Sequence, residues 1–136
     1  MTEGYSGTPL AEKLGIKSGH TVLTLNAPEN YKALLGDPYD IKIIADKPAG
    51  RPDIIHLFTN SRDELFSKLA DLRNVITQDG AIWVSWYKKA AKLPTEITED
   101  TVREAALPLG LVDVKVCAVD DKWSGLKLVI RRENRI

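Results

Sequence analysis

Residues 53–89, DIIHLFTNSRDELFSKLADLRNVITQDGAIWVSWYKK, decide the fold that we predict for this chain. Two short runs rich in β-branched and aromatic residues, 53–58 and 81–89, are typical of buried strands. Between them, apolar residues recur at helical spacing from Leu65 to Ile76. A strand, a helix and a strand in this order form a βαβ unit, whose two strands are parallel and whose crossover is right-handed in nearly all known cases.

The segments on either side extend this unit into a larger sheet. The pattern predicts further strands at 20–26, 41–46, 111–120 and 125–132, and further helices at 9–14, 27–36 and 98–110. Pro28 suits a helix start, Gly36 suits a helix end, and Pro108 should distort the last turn of its helix. The turn DDKWSG at 120–125 joins the last two strands into an antiparallel hairpin. We therefore predict one α/β domain over residues 1–136, with helices on both faces of a mainly parallel sheet.

Inner strands of such a sheet are covered on both faces, which predicts a core from both sets of side chains. The residues expected to be buried are Val22, Leu23, Ile43, Ile54, Ile55, Leu57, Ile82, Val84, Val114, Val116, Leu128 and Ile130.

Composition argues against several classes of function. The 19 basic and 19 acidic residues cancel, so no overall field attracts nucleic acid, and we expect no nucleic-acid partner. No stretch approaches the 18 or more apolar residues that a membrane span needs, so a cytoplasmic protein without a membrane partner is expected. Cys117 is the only cysteine and lies in an apolar alternation, where a buried thiol is expected. No metal, dithiol, α/β-hydrolase or phosphate-loop spacing occurs, and we expect His56 to be a hydrogen-bonded core residue.

Three stretches resemble the class I methyltransferase fold, a Rossmann-like sheet that ends in an antiparallel hairpin. They are LGIKSGHTVLTLNA at 14–27, LADLRNVITQDGAIWVSW at 69–86 and LGLVDVKVCAVDDKWSGLKLVIRREN at 109–134. Combined with the handedness of the crossovers, the resemblance implies the strand order 2-1-3-4-6-5. Nearly the whole chain also resembles a bacterial family catalogued only as a domain of unknown function, through GYSGTPLA, LNAP, DGAIWVSWYKK and WSGLKLVIRREN. That family brings no established activity.

The chain departs from the methyltransferase pattern at the loop after strand 1. The resemblance implies a GxGxG arrangement there, since only glycine lets the backbone approach the cofactor closely. Residues 25–31 read LNAPENY and contain no glycine. We therefore expect Glu29 and Tyr31 to occupy the cofactor space, and we do not expect S-adenosylmethionine as a cofactor. Asp46, at the end of strand 2, is the one residue placed where an acid commonly holds a ribose.

Ligands of open α/β sheets collect at the carboxyl ends of the parallel strands. The candidate ligand-binding residues at these ends are Asn26, Glu29, Tyr31, Asp46, Asn60, Arg62, Ser85, Trp86, Lys88 and Lys89. Aromatic walls and basic side chains suit a compact anionic or planar ligand. The plain alternative is that Ser61 caps a helix and that Lys88 and Lys89 are a solvated strand end.

Three functions follow from these residues. The first is a non-catalytic module that binds a small ligand or a protein, and it requires neither catalytic residues nor a cofactor. The second is a methyltransferase with an atypical cofactor loop. The third is an interaction or assembly protein that uses the terminal hairpin, where Trp123 either packs on the sheet or marks a partner surface. Residue patterns do not distinguish the ligand, the partner or the oligomeric state.

Overall fold

The computed structural model describes residues 9–36, 40–47 and 50–135. Within these ranges the strands are β1 (Thr21–Leu25), β2 (Lys42–Ala45), β3 (Ile54–Phe58), β4 (Ala81–Tyr87), β5 (Leu111–Ala118) and β6 (Trp123–Ile130). The α-helices are α1 (Leu10–Leu14), α2 (Tyr31–Leu35), α3 (Arg62–Arg73) and α4 (Glu99–Ala106). Single 3-10 turns follow at Lys89–Ala91, Leu107–Leu109 and Arg132–Asn134.

The strands form one sheet in the order β2-β1-β3-β4-β6-β5. β1 pairs in parallel with β2 and β3, and β3 pairs in parallel with β4. β6 is antiparallel to both β4 and β5, so the terminal hairpin is part of the sheet. The predicted α/β class, strand order and antiparallel hairpin are confirmed.

Helices cover both faces of the sheet. The face under α3 and α4 holds an apolar cluster that includes Leu23, Ile55 and Leu128. The face under α1 and α2 holds a second cluster that includes Val22, Ile54 and Trp83. Because successive side chains of a strand point to opposite faces, each inner strand contributes to both clusters.

The core prediction is correct for nine residues and wrong for the two valines of β5. Val114 is 53% exposed and Val116 is 52% exposed, whereas Ile43, on the edge strand β2, is half-buried. β5 is also an edge strand, and its register shifts between Asp113 and Lys115, which leaves Val114 in a bulge without a partner on β6. Alternation along a strand predicts burial only where a helix covers that face, and β5 lacks such cover at these two positions.

Two helix boundaries lie next to prolines. α2 begins at Tyr31, three residues later than Pro28 suggests, because the Pro28 carbonyl accepts the Tyr31 amide at 3.0 Å in a tight turn. α4 ends at Ala106, and the 3-10 turn that follows contains Pro108, as the proline predicts.

Candidate functional site

A residue with a left-handed backbone conformation follows the carboxyl end of β1, and another follows that of β2. Asn26 has φ 60° and Asp46 has φ 67°, and asparagine and aspartate tolerate this conformation better than most residues do. The Asp46 amide donates to the Thr24 carbonyl at 2.8 Å, which holds the two strand ends together. Asn26, Asp46 and Glu29 are all exposed. The edge therefore presents one amide and two carboxylates at this point.

The Asn26 side chain bridges the ends of β1 and β3. Its Nδ2 donates to the Phe58 carbonyl at 3.0 Å and to Glu64 Oε2 at 3.2 Å. The other Glu64 oxygen accepts the Thr59 hydroxyl at 2.6 Å. Both donors of the amide are used. This Asn26 bridge crosses the crevice that opens between the carboxyl ends of parallel strands.

Arg62 faces α4 rather than the strand ends. Its guanidinium forms a two-point ion pair with Glu104, at 2.8 and 3.2 Å, and lies 4.6 Å from the Phe66 ring centroid. The hydrogen bond from Arg62 holds the pKa of Glu104 below its usual range. Ser61 caps α3 by accepting the Glu64 amide at 3.2 Å, as the plain alternative predicts. The Arg62 side chain therefore does not face the ligand site that the sequence predicts at the strand ends.

Asn60 links neighbouring segments through its own hydrogen bonds. Its Oδ1 accepts the Tyr87 amide at 2.9 Å, and its carbonyl accepts the Glu96 amide at 2.9 Å. These bonds join the end of β3 to the end of β4 and to the loop before α4. Asn60 thus holds the loop before α4 in place, and its side-chain oxygen already accepts a hydrogen bond within the protein.

A chain of polar side chains lies buried beneath the strand ends, on the α1–α2 face. Tyr31 Oη is 2.9 Å from His56 Nδ1, and His56 Nε2 is 2.7 Å from Ser85 Oγ. Phe58 stacks on the His56 ring, with centroids 4.2 Å apart. Burial lowers the pKa of His56 to about 3 and raises the pKa of Tyr31. The Tyr31 and His56 side chains are therefore uncharged at physiological pH.

This Tyr31–His56–Ser85 chain has the spacing of a base and a nucleophile, but it is sealed from solvent. His56 and Ser85 have no exposed surface, and Tyr31 is 4% exposed. A reacting substrate needs contact with the serine oxygen, which this burial prevents. The expectation that Tyr31 fills the cofactor space is wrong, because its ring points into the core. His56 is hydrogen-bonded and buried, as the sequence predicts.

A cleft of about 670 Å³ opens between the end of β4 and the start of α4. This β4–α4 cleft is lined by Trp86, Tyr87, Lys88, Lys89, Leu93, Pro94, Thr95, Ile97, Thr98, Glu99 and Ser124. It brings together three of the predicted residues, Trp86, Lys88 and Lys89. Sequence reasoning missed its second wall, residues 93–99, for which the available signal was an apolar Leu93 inside a polar loop.

Trp123 packs back on the sheet. Its ring makes an edge contact with Phe58, with centroids 4.9 Å apart, and lies 4.5 Å from the Tyr87 ring. Asp120 shapes the preceding turn by accepting the Lys122 and Trp123 amides at 2.8 and 2.9 Å. Of the two positions that the sequence leaves open for Trp123, the structure shows the packed one.

No cluster of three or more histidine, cysteine, aspartate or glutamate side chains is arranged to hold a metal ion within the described ranges. No helix in the same part of the chain has the length and apolar composition of a membrane span. Cys117 is half-buried, and burial raises the pKa of its thiol.

Comparison with known families gives a match over residues 11–132 to the model described as protein of unknown function (DUF3052). The chain belongs to the DUF3052 family. Comparison with curated proteins gives no match.

Several solved structures similar to this DUF3052 chain are methyltransferases. A TehB-like SAM-dependent methyltransferase from Corynebacterium glutamicum has a TM-score of 0.62 at 10% identity, with 94% of this chain and 90% of that chain covered. A SAM-dependent methyltransferase from Aquifex aeolicus has a TM-score of 0.64 at 15% identity, with 89% and 87% covered. An O-methyltransferase family 2 protein from Planctomyces limnophilus has a TM-score of 0.64 at 10% identity; 83% of this chain matches 50% of its length. At such identities the likeness shows a methyltransferase-like Rossmann fold.

The loop after β1 lacks the glycines that a GxGxG cofactor loop would supply. The Asn26 bridge joins the end of β1 to Phe58 and Glu64, and no residue from 25 to 31 is glycine. The Asp46 carboxylate is exposed at the end of β2.

Proposed function

We propose that this DUF3052 protein is a non-catalytic binding module that takes a compact anionic or planar small molecule in the β4–α4 cleft. The observation that carries the proposal is the Asn26 bridge. Its two hydrogen bonds, to Phe58 and Glu64, occupy the crevice that a nucleoside cofactor would need. The β4–α4 cleft is open and lies at the same carboxyl edge of the sheet, one strand further along, beside β4.

The charges around the β4–α4 cleft favour an anion. Lys88 and Lys89 contribute two ammonium groups, and the lining carboxylate, Glu99, is bound to the Arg103 guanidinium. Arg103 also binds Asp100 at 2.9 Å and Asp113 at 3.0 Å, so Glu99 belongs to an ion-pair network that joins α4 to β5. The two lysines therefore dominate the local field, as in sites that bind carboxylates or phosphates.

Apolar side chains supply the rest of the cleft. Trp86 and Ile97 are buried in its floor, and Leu93 is 40% exposed at its wall. Flat apolar surface combined with a few charged groups is the usual composition of a small-molecule site. An aromatic carboxylate matches both features.

Isothermal titration with benzoate, indole-3-carboxylate and the neutral isostere benzamide tests this proposal. We expect the carboxylates to bind and benzamide not to bind, with affinity falling at least about tenfold in the Lys88→Ala/Lys89→Ala variant. A fall of this size corresponds to losing one charge-assisted contact. The matched control is Lys42→Ala/Lys115→Ala, which removes the same charge from exposed positions on the two edge strands. Equal binding by both double variants, or no binding by the wild type, would contradict the proposal.

Methyl transfer is the second candidate, and Asp46 together with the methyltransferase-like fold favours it. A cofactor would then approach the sheet over the exposed Asp46 carboxylate rather than over a glycine loop. Titration of the wild-type protein with S-adenosylmethionine separates the two candidates. Micromolar binding would support methyl transfer and show that the first proposal is wrong.

A protein-binding role for the terminal hairpin is the third candidate. Because Trp123 packs inward, the apolar surface available on the hairpin is the exposed pair Val114 and Val116. Analytical ultracentrifugation tests self-association through β5. A monomer at all concentrations would exclude a homo-oligomeric role.

A further inference from the structure

A half-buried serine on β6, Ser124, lines the β4–α4 cleft. In the part of the chain that the structure describes, its hydroxyl has no hydrogen-bond partner. The buried side-chain oxygen without a partner in that part is the one in Thr77, so the Ser124 oxygen keeps accessible surface. A ligand in the cleft can therefore contact this hydroxyl.

The pairing of β4 with β6 fixes the direction of the Ser124 side chain. Ser124 is directly opposite Trp86 in this antiparallel pair. Directly opposite side chains share one face of a sheet, and Trp86 belongs to the apolar cluster under α3 and α4. Tyr87 and Trp123, the next opposite pair, lie on the other face, with their rings 4.5 Å apart. Ser124 therefore lies beside Trp86 in the floor of the cleft.

Three other polar side chains of the cleft are engaged within the protein. The Thr95 oxygen accepts a main-chain amide at 3.2 Å. The Thr98 oxygen caps α4 by accepting the Thr101 amide at 3.3 Å. The Glu99 carboxylate is bound to the Arg103 guanidinium. These groups are less available to a ligand than the Ser124 hydroxyl is.

The groups that a ligand can use differ between the rim and the floor of the cleft. At the rim, Lys88 and Lys89 form no ion pair with any residue that the structure describes. In the floor, the Trp86 indole N–H and the Ser124 hydroxyl are neutral groups without a partner in the same ranges. At about 3.4 Å per residue, Trp86 and Lys88 lie about 7 Å apart along the chain. An aromatic ring with polar groups at both ends has a similar length.

We infer that the β4–α4 cleft selects aromatic carboxylates that carry a ring hydroxyl, with the carboxylate on Lys88 and Lys89 and the hydroxyl on Ser124. The inference rests on the function proposed for the cleft and names the class of its ligand. A site that hydrogen-bonds a ligand hydroxyl discriminates against the analogue without it, because its own polar group then loses water without gaining a partner. Since Ser124 is half-buried rather than sealed, the expected discrimination is moderate.

Calorimetric titration with benzoate, 3-hydroxybenzoate and 4-hydroxybenzoate tests the inference. In the wild type, we expect at least one hydroxybenzoate to bind at least about threefold more tightly than benzoate, as one neutral hydrogen bond would provide. Ser124→Ala should abolish this gain and leave the affinity for benzoate unchanged, which also shows that the cleft of the variant is intact. Ser67→Ala, which removes a hydroxyl from an exposed position on α3, is the matched control and should keep the gain.

The affinity for benzoate separates this inference from the proposed function on which it rests. If benzoate binds but neither hydroxybenzoate binds more tightly, the inference is overturned and the proposed function stands. The inference is also overturned if Ser124→Ala keeps the gain or if Ser67→Ala loses it. If none of the three carboxylates binds to the wild type, the inference and the proposed function are both wrong.

Discussion

The two faces of the sheet hold their helices in different ways. On one face α3 and α4, of twelve and eight residues, pack through an apolar cluster. On the other face α1 and α2 have five residues each, and α2 is fastened by the hydrogen bond between Tyr31 and His56. A five-residue helix offers little apolar surface and is marginal by itself. A buried polar chain supplies the directional contact that fixes its position.

The difference explains the closed crevice at the end of β1. The loop between β1 and α2 is held from one face by Glu64 of α3, which accepts Asn26, and from the other face by Tyr31 of α2. Both attachments would have to shift for a large cofactor to enter between β1 and β3. The two walls of the β4–α4 cleft are also joined, through the Asn60 bonds to Tyr87 and Glu96, and a cleft of about 670 Å³ stays open beside those bonds.

The largest effect is expected on the apolar face, from Ile55→Ala. Ile55 has no exposed surface and belongs to the α3–α4 cluster, so its truncation should cost on the order of 2–5 kcal/mol of unfolding free energy. Urea denaturation measures the cost. Val116→Ala is the matched control on exposed β5 and should change stability by less than about 0.5 kcal/mol. Similar costs for both would contradict the assignment of the buried face.

On the polar face, His56 makes stability depend on pH. The pKa of His56 is about 3 in the folded chain and about 6.5 in an unfolded one, so between these values the unfolded chain binds the extra proton. Stability is therefore full above about pH 6.5 and falls as pH drops towards 3, by up to about 1.4 kcal/mol per pH unit. Urea denaturation from about pH 7 down to about pH 4 measures the slope. His56→Gln should flatten it while His20→Gln should not; an unchanged slope in His56→Gln would refute the account.

A smaller effect is expected from Tyr31→Phe. Loss of the hydroxyl leaves His56 Nδ1 without its partner and should cost about 1–3 kcal/mol, whereas Tyr87→Phe, a half-buried tyrosine on β4, is the control. Because Tyr31 and Ser85 act through one ring, Tyr31→Phe and Ser85→Ala should couple by about 0.5–3 kcal/mol in a double-mutant cycle. Strictly additive costs would show that the Tyr31–His56–Ser85 chain does not act as a unit.

The predicted features that the structure confirms rest on local patterns. The βαβ unit at 53–89 follows from periodicity and turn residues within one stretch, and Ser61 caps its helix as the residue type predicts. Trp86 lies near the end of β4 and Lys88 and Lys89 follow that strand, so the sequence could place the three together.

Features set by distant contacts could not be predicted in this way. The burial of Tyr31 depends on His56, which lies 25 residues away, and Pro28 suggested an earlier helix start. The exposure of Val114 depends on a bulge against β6 that no residue in β5 signals. The cavity of about 320 Å³ at the amino ends of the parallel strands joins residues as far apart as Gly15 and Val129, so no local motif marks it.

The smallest effect on stability, and the sharpest test of the closed crevice, is expected from Asn26→Gly. Glycine adopts the φ of 60° without strain, so the variant removes the bridge alone and should cost about 0.5–1.5 kcal/mol. Asn26→Ala removes the same bonds and adds backbone strain, so it should cost about 1 kcal/mol more.

If the bridge closes the crevice, Asn26→Gly should gain measurable affinity for adenosine in calorimetric titration, relative to the wild type. The β4–α4 cleft lies beyond β3 and should keep its affinity for benzoate in this variant. A variant that loses stability but gains no adenosine binding would show that Tyr31 and α2, rather than Asn26, hold the loop closed. Titration of Tyr31→Phe with adenosine and with benzoate would then separate the Asn26 attachment of the loop from the Tyr31 attachment. That variant loosens α2, while the bonds from Asn26 to Phe58 and Glu64 remain.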